Sequence, residues 1–101
     1  MKPVILHPEA EAELEVSADF YEGRQPGLGE DFRAAVEEAV DQIRATPTAF
    51  SPYKGGPARR RLLRRFPFGV YYVERDQDIH VVAVADQRRR PDYWLDRLDD
   101  A

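Results

Sequence analysis

Nine of the ten basic residues between Lys54 and Arg90 are arginines, and eight of those fall in two runs, Arg59, Arg60, Arg61, Arg64 and Arg65, then Arg88, Arg89 and Arg90. A guanidinium is a planar fork of donors that matches phosphate and carboxylate, so this preference for Arg points to anion recognition. If the strands bearing the two runs pair as neighbours, both can edge one surface. Such a surface suits nucleic-acid phosphates or an acidic segment of a protein partner. The sequence pI near 5.1 argues against a simple nucleic-acid coat and favours a specific macromolecular docking face. Tyr71, Tyr72, Phe66, Phe68, Tyr93 and Trp94 intersperse the region, but aromatics in strands are more often core than stacking platforms.

Other chemistries find little footing. Two histidines, His7 and His80, and no cysteine offer no transition-metal spacing, and no cofactor or metal is expected. His7 reads as a helix cap and His80 as a structural strand residue. Ser17 and Ser51 lie in no nucleophile elbow. The carboxylates Glu11, Glu13, Glu15 and Asp19 read as one solvated helix face.

The elements that must position the arginines follow from spacing. Val4 to Leu6 reads as a strand. His7-Pro8-Glu9 opens a helix running to about Tyr21, with Ala10, Leu14, Ser17 and Tyr21 on one stripe and Ala12, Val16 and Phe20 on an adjoining one. After the Gly23–Gly29 break, Leu28, Phe32, Ala35, Val36, Ala39, Val40 and Ile43 mark a second helix ended by Thr46-Pro47, which makes an antiparallel helical hairpin. A loop follows from Phe50 to Pro57. Residues 59–66, 68–74 and 78–86 read as a three-strand meander whose last strand is apolar on both faces and therefore central. Pro91 to Leu98 reads as a short closing helix. The order β-α-α-β-β-β-α predicts an α+β fold, a helical hairpin packed on a small, mainly antiparallel sheet.

At 101 residues the chain amounts to one domain, residues 1–101, and its 43% apolar and 34% charged residues suit a globular protein. The net charge of -4 hides a split: 11 acids against 4 bases in residues 1–50, and 8 against 11 in residues 51–101. The lack of cysteine, of a signal peptide and of a membrane span points to a soluble cytoplasmic protein.

Three stretches carry a family likeness: residues 61–73 (RLLRRFPFGVYYV), 81–85 (VVAVA) and 88–94 (RRRPDYW), together with His7-Pro8-Glu9-Ala10 and residues 27–32 (GLGEDF) ahead of the two helices. In order and spacing they resemble the RelE/ParE superfamily of small toxins from bacterial type II toxin-antitoxin modules. The resemblance covers nearly the whole chain and implies a cognate antitoxin partner. RelE-like members cut messenger RNA on the ribosome without a metal; ParE-like members inhibit DNA gyrase.

The resemblance sets Arg60 and Arg64 at basic positions of the nuclease strand and Arg88 at the cationic position after the last strand. Gly69 stands where the nucleases commonly carry Arg, Asp86 where many have His, and Trp94 near their C-terminal Tyr, with Tyr93 one residue away. Asp86, with a reference pKa of about 3.9, is a weak base at neutral pH. The nuclease set is therefore incomplete. The reading implied is a ParE-like toxin that inhibits gyrase by binding through Arg59, Arg61, Arg65, Arg89, Arg90 and Trp94. The alternative is a metal-independent ribonuclease using Arg60, Arg64, Arg88 and either Tyr93 or Asp86.

Overall fold

The computed structural model describes residues 1–100. Its elements are β1 (Val4–Leu6), α1 (Pro8–Arg24), α2 (Leu28–Ala45), β2 (Arg59–Leu62), β3 (Phe68–Glu74) and β4 (Ile79–Asp86), with 3₁₀ turns at Tyr53–Gly55 and Leu95–Asp100. The strands form one sheet in the order β1-β4-β3-β2. β1 pairs parallel with β4, and the other two pairings are antiparallel, so β4 is central as its two apolar faces require. The α+β class and the meander stand as expected.

Each helix end has a sequence cause. His7 Nδ1 accepts the Glu9 N–H at 3.1 Å and Pro8 occupies the first turn, which together open α1. At the hairpin, Gly27 sits at φ +89°, a backbone region that side chains disfavour. The Glu22 carboxylate then accepts the N–H groups of Gly27 and Gly29 at 3.0–3.1 Å, so the end of α1 caps the start of α2.

Gly29 is where the two helices touch most closely. A Cβ built there would lie 2.6 Å from the Ala18 carbonyl oxygen. Gly29→Ala must push the helices apart and is expected to cost about 1–3 kcal/mol, read as a lower urea midpoint with an unchanged slope. An unchanged midpoint would mean that the hairpin yields freely.

The helical hairpin covers one face of the sheet, where Phe32, Val36, Ala39 and Ile43 of α2 meet Phe66, Phe68, Val70, Tyr72, Ile79, Val81 and Val84. The rings of Phe32, Phe66 and Phe68 lie edge to face, with centroids 4.9–5.2 Å apart where Phe32 meets the other two. On the opposite face Trp94 packs with Tyr71, Val82, Ala83 and Ala85 under the Tyr53 turn.

Three expectations are corrected. β2 ends at Leu62 rather than Phe66, because Pro67 has no N–H to give a ladder and Phe68 N–H turns back to the Phe66 carbonyl at 2.8 Å. The closing segment is a turn over residues 91–94 followed by a 3₁₀ stretch, not an α-helix from Pro91, and Asp92 at φ +66° breaks any helical start. The second stripe of α1 does not face the core: Val16 is 69% and Phe20 54% exposed.

Candidate functional site

A strand turns successive side chains to opposite faces, and this splits the first arginine run. Arg59 and Arg61 stand beside Tyr72 and Val70, while Arg60 stands beside Tyr71. Arg59 donates to the Phe50 carbonyl at 2.6 Å, which ties the preceding loop to the strand. Arg61 donates to Gln42 of α2 at 2.9 Å and lies over the Phe50 ring. Arg65 pairs with Asp31 of α2 at 3.6 Å, and Arg64 joins Arg61 and Arg65 in lining a cavity against Glu38 and Gln42. These four therefore border the helical hairpin.

Arg60 goes the other way. Its guanidinium lies over the Tyr53 ring, 5.3 Å from the centroid, and donates to Gln87 Oε1 at 3.3 Å. Gln87 also shares a hydrogen bond with the Tyr71 hydroxyl. Among the described residues Arg60 is the member of the first run that hydrogen-bonds into the turn carrying Arg88, Arg89 and Arg90. The expectation of one platform holding both runs is thus corrected: β3 stands between β2 and β4, and the strand alternation sends most of the first run to the helix side.

The second run is arranged by Asp86 at the end of β4. Its carboxylate accepts the Arg88 backbone N–H at 2.9 Å and both arms of the Arg88 guanidinium at 2.8–3.0 Å. The Arg88 hydrogen bond outweighs burial and holds the Asp86 carboxyl below its usual value of 3.8. Arg89 stacks over Tyr93, 5.9 Å from the ring centroid, and Arg90 is exposed. Tyr93 is turned inward: its hydroxyl donates to Glu13 Oε2 at 2.6 Å, and burial, then that bond, push its pKa up. Trp94, expected at a target-binding surface, is 2% exposed and lies between Tyr71 and Tyr53. It supports the surface from beneath and does not contact a partner.

Three further residues shape this end of the molecule. Asp92 accepts from the Tyr53 hydroxyl and the Lys54 ammonium, each at 2.7 Å. Lys54 and Asp92 both hold left-handed backbone, φ +51° and +66°, a strain that the surrounding contacts must sustain. With 38 residues between Lys54 and Asp92, no local signal marks the pair. The Glu13 carboxylate also receives the Arg97 guanidinium at 3.0 Å, so it is not part of a purely solvated acidic face.

What the arrangement offers is fixed positive charge from Arg60, Arg88, Arg89 and Arg90 over an aromatic base, with its nearby acid and phenol engaged by other groups. Among the described residues no group of three or more His, Asp or Glu side chains is placed to hold a metal, and no helix is long and apolar enough to cross a membrane.

No curated protein matches the chain. A solved structure described as the chromosomal ParDE TA system from P. aeruginosa shares the fold, with a TM-score of 0.64 and 22% identity over 85% of this chain and 96% of that one. The family model for the ParE toxin of type II toxin-antitoxin system, parDE, matches residues 4–91. That span runs from β1 through the whole sheet to the turn bearing Arg88, Arg89 and Arg90, and on this ground the chain belongs to the ParE toxin family of type II toxin-antitoxin systems.

Proposed function

We propose that this toxin acts in the cytoplasm by binding DNA gyrase, without covalent chemistry, through the surface of Arg60, Arg88, Arg89 and Arg90, and that a co-encoded antitoxin neutralises it. The observation that carries the binding mode is the state of the two candidate acid–base groups. Metal-free RNA cleavage needs a base at the 2′-hydroxyl and an acid at the leaving oxygen. Asp86 is held ionised in the Arg88 fork with its proton affinity lowered, and Tyr93 gives its proton to Glu13 with its own pKa raised. Neither is poised near neutrality. The arginines keep their charge at any physiological pH and suit a docking surface.

The purified toxin is expected to inhibit gyrase supercoiling, and brief expression should leave translated messages uncut by primer extension. Asp86→Asn should retain inhibition, whereas the Arg60→Glu, Arg90→Glu double variant should lose it by about 100-fold, as for central charges of an interface. Codon-positioned cuts with normal supercoiling would replace this reading by the ribonuclease one.

A further inference from the structure

α1 carries two apolar stripes, and the sheet uses one. The other, Ala12, Val16 and Phe20, forms one wall of a groove of about 550 Å³ floored by Tyr21, Phe68 and Val84 and closed on its far side by Arg88, Arg89 and Tyr93. Val16 and Phe20 are 69% and 54% exposed, so this face of α1 lacks a partner within the described residues. Recurrence at i, i+4 and i+8 makes the wall a continuous apolar ridge, the form that receives an amphipathic segment.

Charge selects the occupant. The acids on the groove are already engaged: Asp86 by Arg88, and Glu13 by Arg97. Among the described residues Arg24, over the Phe20 ring, and Arg89 have no carboxylate partner. The rim therefore presents cations to whatever enters. A second copy of this chain fits poorly, since a two-fold contact would bring the exposed Glu11, Glu15 and Asp19 of one α1 against those of the other.

We infer that the groove between α1 and the end of β4 receives an amphipathic segment of the antitoxin, its apolar residues on Val16 and Phe20 and its carboxylates on Arg89 and Arg24. This rests on the toxin reading above and specifies where and with what chemistry neutralisation occurs. The groove lies apart from Arg60 and Arg90, so its apolar wall can be altered without touching those target-surface residues.

The test uses the full toxin and its purified co-encoded antitoxin in a titration. Val16→Glu with Phe20→Glu, both at exposed sites of a helix that accepts Glu, should keep the thermal midpoint and gyrase inhibition while weakening antitoxin binding by about 100-fold or more. Arg89→Glu should weaken binding by about ten-fold and flatten its salt dependence. Unchanged antitoxin affinity in the Val16, Phe20 double variant, with the toxin folded, overturns the groove assignment and leaves the toxin reading intact. A wild-type toxin that binds no co-encoded antitoxin overturns both. A concentration-dependent dimer that Phe20→Glu dissociates gives the groove to a second copy and also overturns the inference.

Discussion

Replacing Arg97 by Ala is expected to lower the thermal midpoint by roughly 15 °C or more, the largest effect of any single polar substitution in this chain. β1 ends opposite Val81, so beyond that point the outer edge of the central strand has no strand beside it. Two side chains take the place of one. Glu13 accepts the Val84 N–H at 3.0 Å, and Arg97 donates to the Val82 carbonyl at 3.1 Å. The two also pair with each other through two contacts of 3.0 Å, and Tyr93 completes the set on Glu13.

Arg97 is 7% exposed, so its loss leaves a carbonyl and a carboxylate without their donor in a nearly dry site. Breaking a buried pair from one side costs about 3–5 kcal/mol, far above the 0–1 kcal/mol of an exposed pair such as Lys54 with Asp92. Arg97→Lys should recover only part of the loss, because one ammonium cannot serve Val82 and both Glu13 oxygens in the same plane. A double-mutant cycle with Glu13→Gln should give coupling of at least about 1 kcal/mol. Additive effects would show that the two side chains act independently.

The same network marks where sequence reasoning reached its limit. Periodicity found α2, because Phe32, Val36, Ala39 and Ile43 form one stripe with a single way to face a core. It found β4 because a strand apolar on both faces must lie inside a sheet. On α1 periodicity found two stripes and had no means of choosing between them, since the choice depends on where the strands end. Glu13 sits in an acidic helix turn and looks solvated in the sequence; its role arises from the short β1, 71 residues distant from the Val84 amide it serves.

The arginines show a second limit. Composition made them the candidate site, and eight adjacent or nearly adjacent cations are hard to read otherwise. A period of two, combined with β3 lying between β2 and β4, divides them into a set at the helical hairpin and a set at the end of the sheet. Strand order is a tertiary fact, and it decided which arginine joined the second run: Arg60, through Gln87. The Lys54 and Asp92 pair was illegible for the same reason. Each residue looks ordinary in its own loop, and only the fold sets them 2.7 Å apart.

Trp94→Ala is expected to cost about 3–5 kcal/mol and to loosen the Arg88–Arg90 turn, so that target inhibition falls more than the folded fraction does. Three contacts hold this turn to the sheet, and their magnitudes differ. The Arg88 side chain is 64% exposed in its pair with Asp86, and Lys54 is 62% exposed in its pair with Asp92. Exposed pairs of that kind contribute about 0–1 kcal/mol each. Trp94 is 2% exposed, with ring centroids 4.6 Å from Tyr71 and 5.5 Å from Tyr53, and its burial outweighs both pairs together. Without it the guanidinium groups of Arg88, Arg89 and Arg90 stay charged but lose their fixed positions, and a docking surface depends on position. Trp94→Phe keeps a ring against Tyr71 and should restore most of both quantities, whereas Asp92→Asn should shift stability by less than about 1 kcal/mol. The readouts are the thermal midpoint, amide exchange at residues 88–94 and gyrase inhibition at a temperature where every variant is folded. Full inhibition by a folded Trp94→Ala protein with unprotected amides across the turn would show that an ordered turn is unnecessary, and the target surface would then have to lie elsewhere.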